Sequence, residues 1–222
     1  MPSALQWDLD GTRNIQAGVS KVALFPVNPS ATSSSDSAYQ AGVAWSGVTG
    51  ITENPGGADL TDLYADNIKY ASLRATETFG FTIEAYDYPP EWAVCDGSAE
   101  PVTGVFLGQQ GRSAFGLVYV TQVGDDMHPS MDKGHKLHII YNCTASPSSR
   151  AFATINDNPD AISFSWEASS TPTVVAGSTF KAVCTIEIDS TKLDTTGKTA
   201  LTALETTIFG SSSADAKLPR PE

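Results

Sequence analysis

The sequence predicts a mainly β chain with one helix near its C-terminal end, and three observations carry that prediction. From residue 73 the odd positions read Leu73, Ala75, Glu77, Phe79, Phe81, Ile83, Ala85, against Ser72, Arg74, Thr76, Thr78, Gly80, Thr82, Glu84 at the even ones. Successive side chains on a strand point to opposite faces, so this is a half-buried strand with an apolar odd face. The same alternation returns in Phe115, Leu117, Tyr119, in Leu137, Ile139, Tyr141, Cys143, and in Ile162, Phe164, Trp166. Only at Leu201, Leu204 and Ile208 does the apolar spacing change to three and four, the period of an amphipathic helix.

Composition agrees. Of 222 residues, 41% are hydrophobic and only 17% charged, which suits a soluble strand-rich domain and argues against disorder. No run of 18 apolar residues exists to span a membrane. The start, MPSALQWDLDGTR, lacks a basic stretch followed by an apolar core, so residence in a cytosol is expected. Cys95, Cys143 and Cys184 show no CxxC spacing and read as small buried hydrophobes. A net charge of −12 disfavours tight sequence-independent binding to nucleic acid, which needs clustered Lys and Arg. It leaves room for an acidic wall along which a polyanion slides.

Taken in order, residues 1–18 read as an irregular arm with Trp7 its one large apolar residue. Val19–Phe25 is a first strand ended by Pro26 and Pro29. Residues 28–40 form a Ser-rich loop, and Ala41–Ile51 a strand interrupted by Gly47 and Gly50. Residues 52–67 read as a long connection that nevertheless carries Leu60, Leu63 and Tyr64, an apolar content that a merely solvated loop does not need. The strand from Leu73 to Ala85 would run about 45 Å, so it either bends at Gly80 or reaches beyond its own domain. Pro89-Pro90 stops pairing, and EWAVCDG allows one helical turn closed by Gly97. Residues 98–112 are a loop or a short edge strand.

Ser113–Val123 and His135–Ala145 form a hairpin around the polar tip GDDMHPSMDKG. TINDNPDA is a turn cluster. A later strand faces Phe180, Ala182, Cys184, Ile186 and Ile188 inward. The helix is capped by Thr195 or Thr196, ended by Gly210, and lies on an open sheet face or edge through Leu201, Leu204 and Ile208. Residues 211–222 form a polar tail that is free in solution or pinned by a partner.

Catalytic chemistry finds no foothold. His135 and His138 are three apart on a strand and face opposite sides, so they do not converge on one ion. His128, Asp125, Asp126 and Asp132 share a loop that could hold a cation only loosely. Glu187-Ile188-Asp189 alternates as a glycosidase pair would, but Ser190, Thr191 and Lys192 follow where a further Glu is needed. No GxSxG elbow is present, and GVFLGQQGRS lacks the lysine of a phosphate loop. The expectation is a non-enzyme with no cofactor and no metal.

Several stretches together resemble one family. They are LYADNIKY (63–70), the run from Glu77 to Gly97 (ETFGFTIEAYDYPPEWAVCDG), GQQGRSAFGLVY (108–119), GHKLHIIYNCTASPSS (134–149), TINDNPDAISFSWE (154–167) and IDSTKLD (188–194). In order and spacing they resemble the major tail proteins, or tail tube proteins, of bacteriophages with long non-contractile tails, from about residue 5 to the C-terminus. The resemblance implies a single domain over 1–222 with a β-sandwich fold and a flanking C-terminal helix. It implies homo-hexameric rings that stack into a tube, strands of adjacent subunits completing one barrel around the lumen. Viral DNA would pass through without specific binding, in a virion tail assembled in the host bacterial cytoplasm. Tape-measure and tail-terminator proteins are the implied further partners, and no membrane is involved.

On that reading, residues 52–67 are the ring-stacking loop, with Leu60, Leu63 and Tyr64 touching the next ring. Arg74, Thr76, Thr78, Thr82 and Glu84 are the candidate lumen-facing set. Two other classes share the strand pattern: a monomeric carbohydrate- or protein-binding sandwich, and a different virion part such as a distal tail or head-decoration protein.

Overall fold

In the computed structural model, residues 4–31, 38–152, 154, 161–175, 177 and 179–221 are described. The elements run β1 (Ile15–Pro26), β2 (Val43–Ala44), β3 (Val48–Gly57), β4 (Leu60–Ala65), β5 (Ile68–Arg74) and β6 (Glu77–Ala85). There follow α1 (Trp92–Cys95), β7 (Ala99–Val102), β8 (Val105–Leu107), β9 (Phe115–Gly124), β10 (Gly134–Ala145), β11 (Phe164–Ser170), β12 (Thr185–Asp189) and α2 (Thr195–Phe209). The fold is mainly β, built of antiparallel sheets with one C-terminal helix, and is consistent with a β-sandwich.

The main sheet has the order β2-β1-β9-β10-β11-β6-β3, with β12 also paired to β10. Strand β10 makes the corner. Its residues 136–140 pair with β12 and its residues 143–145 with β11, while β9 occupies the other edge. Between the two segments Asn142 takes a left-handed φ of 48°, and the register with β9 shifts between Ile140 and Cys143. That extra residue sends Ile140 and Cys143 into the same core despite their odd spacing. The core lies between the two halves of the folded sheet. Val22 and Leu24 of β1 and Phe115, Leu117 and Tyr119 of β9 meet Phe81 and Ile83 of β6 and Trp166 of β11.

A second core covers the outer face of the β1–β9–β10 half. Ala23, Phe25, Val118, Val120, Leu137, Ile139 and Tyr141 pack under Leu201 and Ile208 of α2. Strand β9 is therefore buried on both faces, and both its odd and even side chains are core residues. Helix α2 starts one residue earlier than its threonines suggest: Asp194 is the cap, its Oδ1 accepting from the Gly197 N–H at 2.7 Å. It ends at Gly210, whose φ of 76° suits glycine.

Several elements differ from the sequence reading for identifiable reasons. The strand from Leu73 to Ala85 is two strands, β5 and β6, separated at Ala75 and Thr76, and it does not depend on a bend at Gly80. The loop expected over residues 52–67 is strand: β3 continues to Gly57 and β4 spans Leu60–Ala65. Pro55 and Gly56 are tolerated because β3 pairs with β6 alone, so no ladder partner needs the missing Pro55 N–H on the far side. The strand expected over residues 41–51 is cut at Trp45, which turns into the core and donates its indole Nε1–H to the Asp87 carbonyl at 2.8 Å. Gly47 (φ 83°) makes the break possible. The first strand begins at Ile15, inside the expected arm. Phe180 is exposed rather than inward, and the last strand is only Thr185–Asp189. The Asn- and Asp-rich cluster at 155–160 and residues 32–37 of the Ser-rich loop lie outside the described residues.

The C-terminal tail is held by its own chain. Leu218 is buried in the second core, the Lys217 N–H donates to the Thr207 carbonyl at 2.8 Å, and the Gly42 N–H donates to the Ala216 carbonyl at 2.9 Å. Gly116 accommodates it: a Cβ there would stand 2.3 Å from Leu218 Cδ2. Leu218→Ala is expected to cost about 2–5 kcal/mol, the range for a buried leucine, measured as a shift of the urea midpoint at unchanged slope.

Candidate assembly surfaces

The most distinctive surface is the tip of the hairpin running from β3 to β6. Strands β3 and β6 pair from Val48↔Ala85 to Gly57↔Glu77 as part of the main sheet. Beyond Gly57 the chain continues as a separate two-stranded sheet, β4 with β5, from Leu60↔Arg74 to Ala65↔Ile68. Asp66 and Asn67 close it with φ values of 51° and 62°. Two left-handed residues in a two-residue loop are the type I′ geometry that matches strand twist. On one side Asp62 accepts from Ser72 Oγ at 2.6 Å and pairs with Lys69 Nζ at 2.8 Å.

No core reaches this tip. Leu60, Leu63, Tyr64, Ile68, Tyr70 and Leu73 are all exposed, Tyr64 by 71% and Tyr70 by 74%. Leu60, Leu63 and Tyr64 all lie on β4, Leu63 on the opposite face from Leu60 and Tyr64 by alternation, and the structure adds Ile68, Tyr70 and Leu73 on the paired strand β5. The missed partners had a signal: Asp66-Asn67 between apolar-containing segments is a hairpin turn.

A second surface is the outer face of β3–β6–β11. Phe79, Phe81, Ile83 and Ala85 of β6 point to the core, so Thr78, Thr82 and Glu84 point away from it. Their neighbours in register are Thr52 and Glu167 beside Thr82, and Gly50 and Ser165 beside Glu84. Asn54 Nδ2 donates to Thr82 Oγ1 at 3.4 Å. The face carries two carboxylates and no Lys or Arg among these positions. Arg74 and Thr76 lie beyond it along the same hairpin. Arg74 pairs with Leu60 on the tip sheet, and Thr76 sits in the break, its carbonyl accepting the Ala58 N–H at 3.4 Å. The pairing carries through the break in the same register, the Ala75 N–H donating to the Asp59 carbonyl at 2.9 Å. No strand is hydrogen-bonded to the far edge of β3 among the described residues.

The third group sits under the helix. Leu201 and Ile208 are buried, and Leu204 is half-buried against the same cluster.

Titratable groups are arranged for structure. His138 is buried, stacks on Tyr119 with ring centroids 4.5 Å apart, and lies 3.0 Å from Thr121 Oγ1. Burial lowers its proton affinity and so favours the neutral ring. Tyr119 donates to Glu53 Oε1 at 2.6 Å, and burial first, then that carboxylate, raises its hydroxyl far above the ordinary tyrosine value. His135 turns the other way, to Glu205 of α2 at 2.5 Å. The two rings thus occupy opposite faces of β10, and no cluster of three or more metal-ligating side chains occurs among the described residues.

In the β9–β10 loop, Asp125 is buried and organises its surroundings. It meets Lys133 Nζ at 2.6 Å and accepts from the backbone N–H groups of Met127 and His128. Lys133 also reaches the Gly11 carbonyl at 3.1 Å and Asn14 Oδ1 at 2.7 Å, and Asp126 accepts from the Gly11 N–H at 2.9 Å. The loop therefore fastens the N-terminal arm at residues 11–14. The Lys133 contact, with the His128 bonds, holds the Asp125 carboxyl well below the usual carboxylate range. A carboxylate whose folded value is depressed stabilises the fold above its unfolded value, about 3.9. That contribution is lost as pH falls through the lower folded value. Asp125→Asn should therefore lower the melting temperature at pH 7 and narrow the gap to wild type as the pH drops below about 4, read by thermal melts across a pH series.

A scan against protein-family models and a search of curated proteins find no match to this chain.

Proposed function

We propose that this protein is the repeating subunit of a tube, the major tail protein of a phage with a long non-contractile tail. Six copies close into a ring and rings stack through the β4–β5 hairpin. The observation that carries this reading is the hairpin itself. A lone two-stranded sheet is marginal in water, and this one holds six large apolar side chains in solvent with no core of its own. Such a patch is the mark of an interaction site. A loop of one ring set on the next satisfies both needs.

Two further features support it. The outer face of β3–β6–β11 is polar, uncovered and acidic, which suits a wall along which DNA moves without sticking; the net charge of −12 acts in the same direction. The far edge of β3 is a template for another strand, and closure of a barrel across subunits removes it. The subunit would reside in the virion tail after assembly in the host bacterial cytoplasm, with tape-measure and tail-terminator proteins as its other contacts. Its role is structural, without catalysis.

Electron microscopy of the purified full chain tests the reading. Tubes are the expected result. Isolated rings that never stack would instead indicate another virion part, such as a distal tail or decoration protein. Small single particles at every concentration would indicate a monomeric binding module and overturn the proposal.

A further inference from the structure

We infer that the hairpin's receptor is the platform formed by α1 and the β7–β8 hairpin of a second copy of this chain. This rests on the stacking role proposed above and goes beyond it by naming the surface that receives the tip.

The platform is another group of exposed apolar side chains. Tyr86, Val94, Val102, Val105, Phe106 and Leu107 are all exposed, Phe106 by 58%. It is also fixed in place. The Ser98 N–H donates to the Ala93 carbonyl at 2.8 Å, Gln110 to Gly97 at 2.9 Å and Ser113 to Val94 at 3.0 Å. Arg112 Nη1 reaches Asp96 at 3.5 Å and the Ala145 carbonyl at 3.3 Å, and Arg150 pairs with the same carboxylate. Beneath it Trp92 and Cys95 are fully buried. The apolar side chains are therefore presented by a stem that does not need to fold on binding.

Position and size match the two surfaces. The tip sheet joins β6 at Glu77, whereas α1 follows the other end of β6 and packs Trp92 on Trp45 and Trp166 at centroid distances of 4.7 and 5.5 Å. Trp166 is the register partner of Ile83, near the Ala85 end. The two patches thus leave the sandwich from opposite ends of a strand about 25 Å long. At roughly 200 Å² for a large side chain, the exposed apolar side chains total on the order of 700 Å² over both faces of the tip and on the order of 600 Å² at the platform. A contact that takes in both faces of the tip therefore approaches the share of about 800 Å² that one partner contributes to a stable interface. Tip on tip would be self-complementary and stop at a pair. Tip on platform is head-to-tail and propagates. Both surfaces are two-stranded sheets with open edges, so their contact also gives each a longer sheet to join.

The test uses Leu63→Asp and Phe106→Asp in the full chain, with wild type alongside. Each variant alone should give rings and no tubes. Mixed, each supplies the surface the other lacks, so the mixture should give stacks of two rings that grow no further. A Phe106→Asp protein that forms tubes of normal length would overturn the platform while leaving the tube reading intact. Wild-type protein that forms no tubes would remove both. Because Phe106→Asp could also disturb the ring, a Tyr70→Cys, Phe106→Cys double variant provides a second readout. Oxidised tubes should yield a ladder of disulfide-linked chains that neither single variant gives; tubes that assemble and yield no ladder would overturn the platform.

Discussion

Leu63→Asp should abolish tubes while leaving rings. Leu63 lies on β4 in register with Ala71, among six exposed apolar side chains and away from both cores. The monomer therefore loses little: surface changes distant from core, caps and buried networks stay within about 0.5 kcal/mol. The assembly loses much. An aspartate at the centre of a closed apolar interface has to be buried without a partner, which costs several kcal/mol per copy. Six copies in a ring repeat that cost, so stacking should fail outright. Electron micrographs together with a melting curve check both halves of the expectation. Tubes of normal length would show that the tip is not at an interface, and a collapsed melting temperature would show that it is part of the fold.

Trp166→Ala is the opposite case, a large loss of the monomer itself. Trp166 is 1% exposed and sits at the centre of an aromatic cluster. Its ring lies 5.6 Å from Trp45, 5.5 Å from Trp92, 5.5 Å from Phe164 and 5.5 Å from Tyr88 by centroid. Removal leaves a cavity bounded by two strands, the Trp45 segment and α1, which cannot collapse together. A cost of about 3–5 kcal/mol is expected, enough to unfold much of a marginally stable domain at 37 °C. Urea unfolding checks it. A change under 1 kcal/mol would mean that the cluster does not hold the sandwich shut.

The contrast between these two sites also explains which parts of the chain could be read from its residues. Strand β6 was legible because its even face meets solvent and its odd face a core, giving the clean alternation of Phe79, Phe81, Ile83 and Ala85. The period of three and four in Leu201, Leu204 and Ile208 was legible for the same reason, one face covered and one wet. Strand β9 was half legible: Phe115, Leu117 and Tyr119 signalled one core, while Val118 and Val120 belong to a second core under α2 that alternation alone does not reveal. Pro55 and Gly56 read as a loop because they forbid a central strand, yet β3 is an edge and tolerates them. Leu218 is the plainest miss. A single leucine in a polar tail carries no periodicity, and only the space above Gly116 shows where it goes.

The candidate site divides the same way. Leu60, Leu63 and Tyr64 stood out as apolar residues with no apparent reason to be in a loop. Their partners Ile68, Tyr70 and Leu73 appeared only once Asp66-Asn67 closed a turn and brought two strands side by side. Parity puts Arg74 and Thr76 on the face of Thr78, Thr82 and Glu84; the structure has Arg74 on the tip sheet and Thr76 in the short stretch before β6. Parity along one strand does not reveal Glu167 as part of that face, because the pairing of β11 with β6 that places it beside Thr82 is a long-range contact with no local trace.

On the proposed function, rings of this chain meet through the β4–β5 hairpin around a bore lined by the β3–β6–β11 face. A side-chain-resolution reconstruction of the assembled tube is the decisive test. Leu63 and Tyr70 should be buried between consecutive rings, and Thr82, Glu84 and Glu167 should line the bore. A tube in which the hairpins lie free in solvent, or in which the bore is lined by α2, would overturn the proposal.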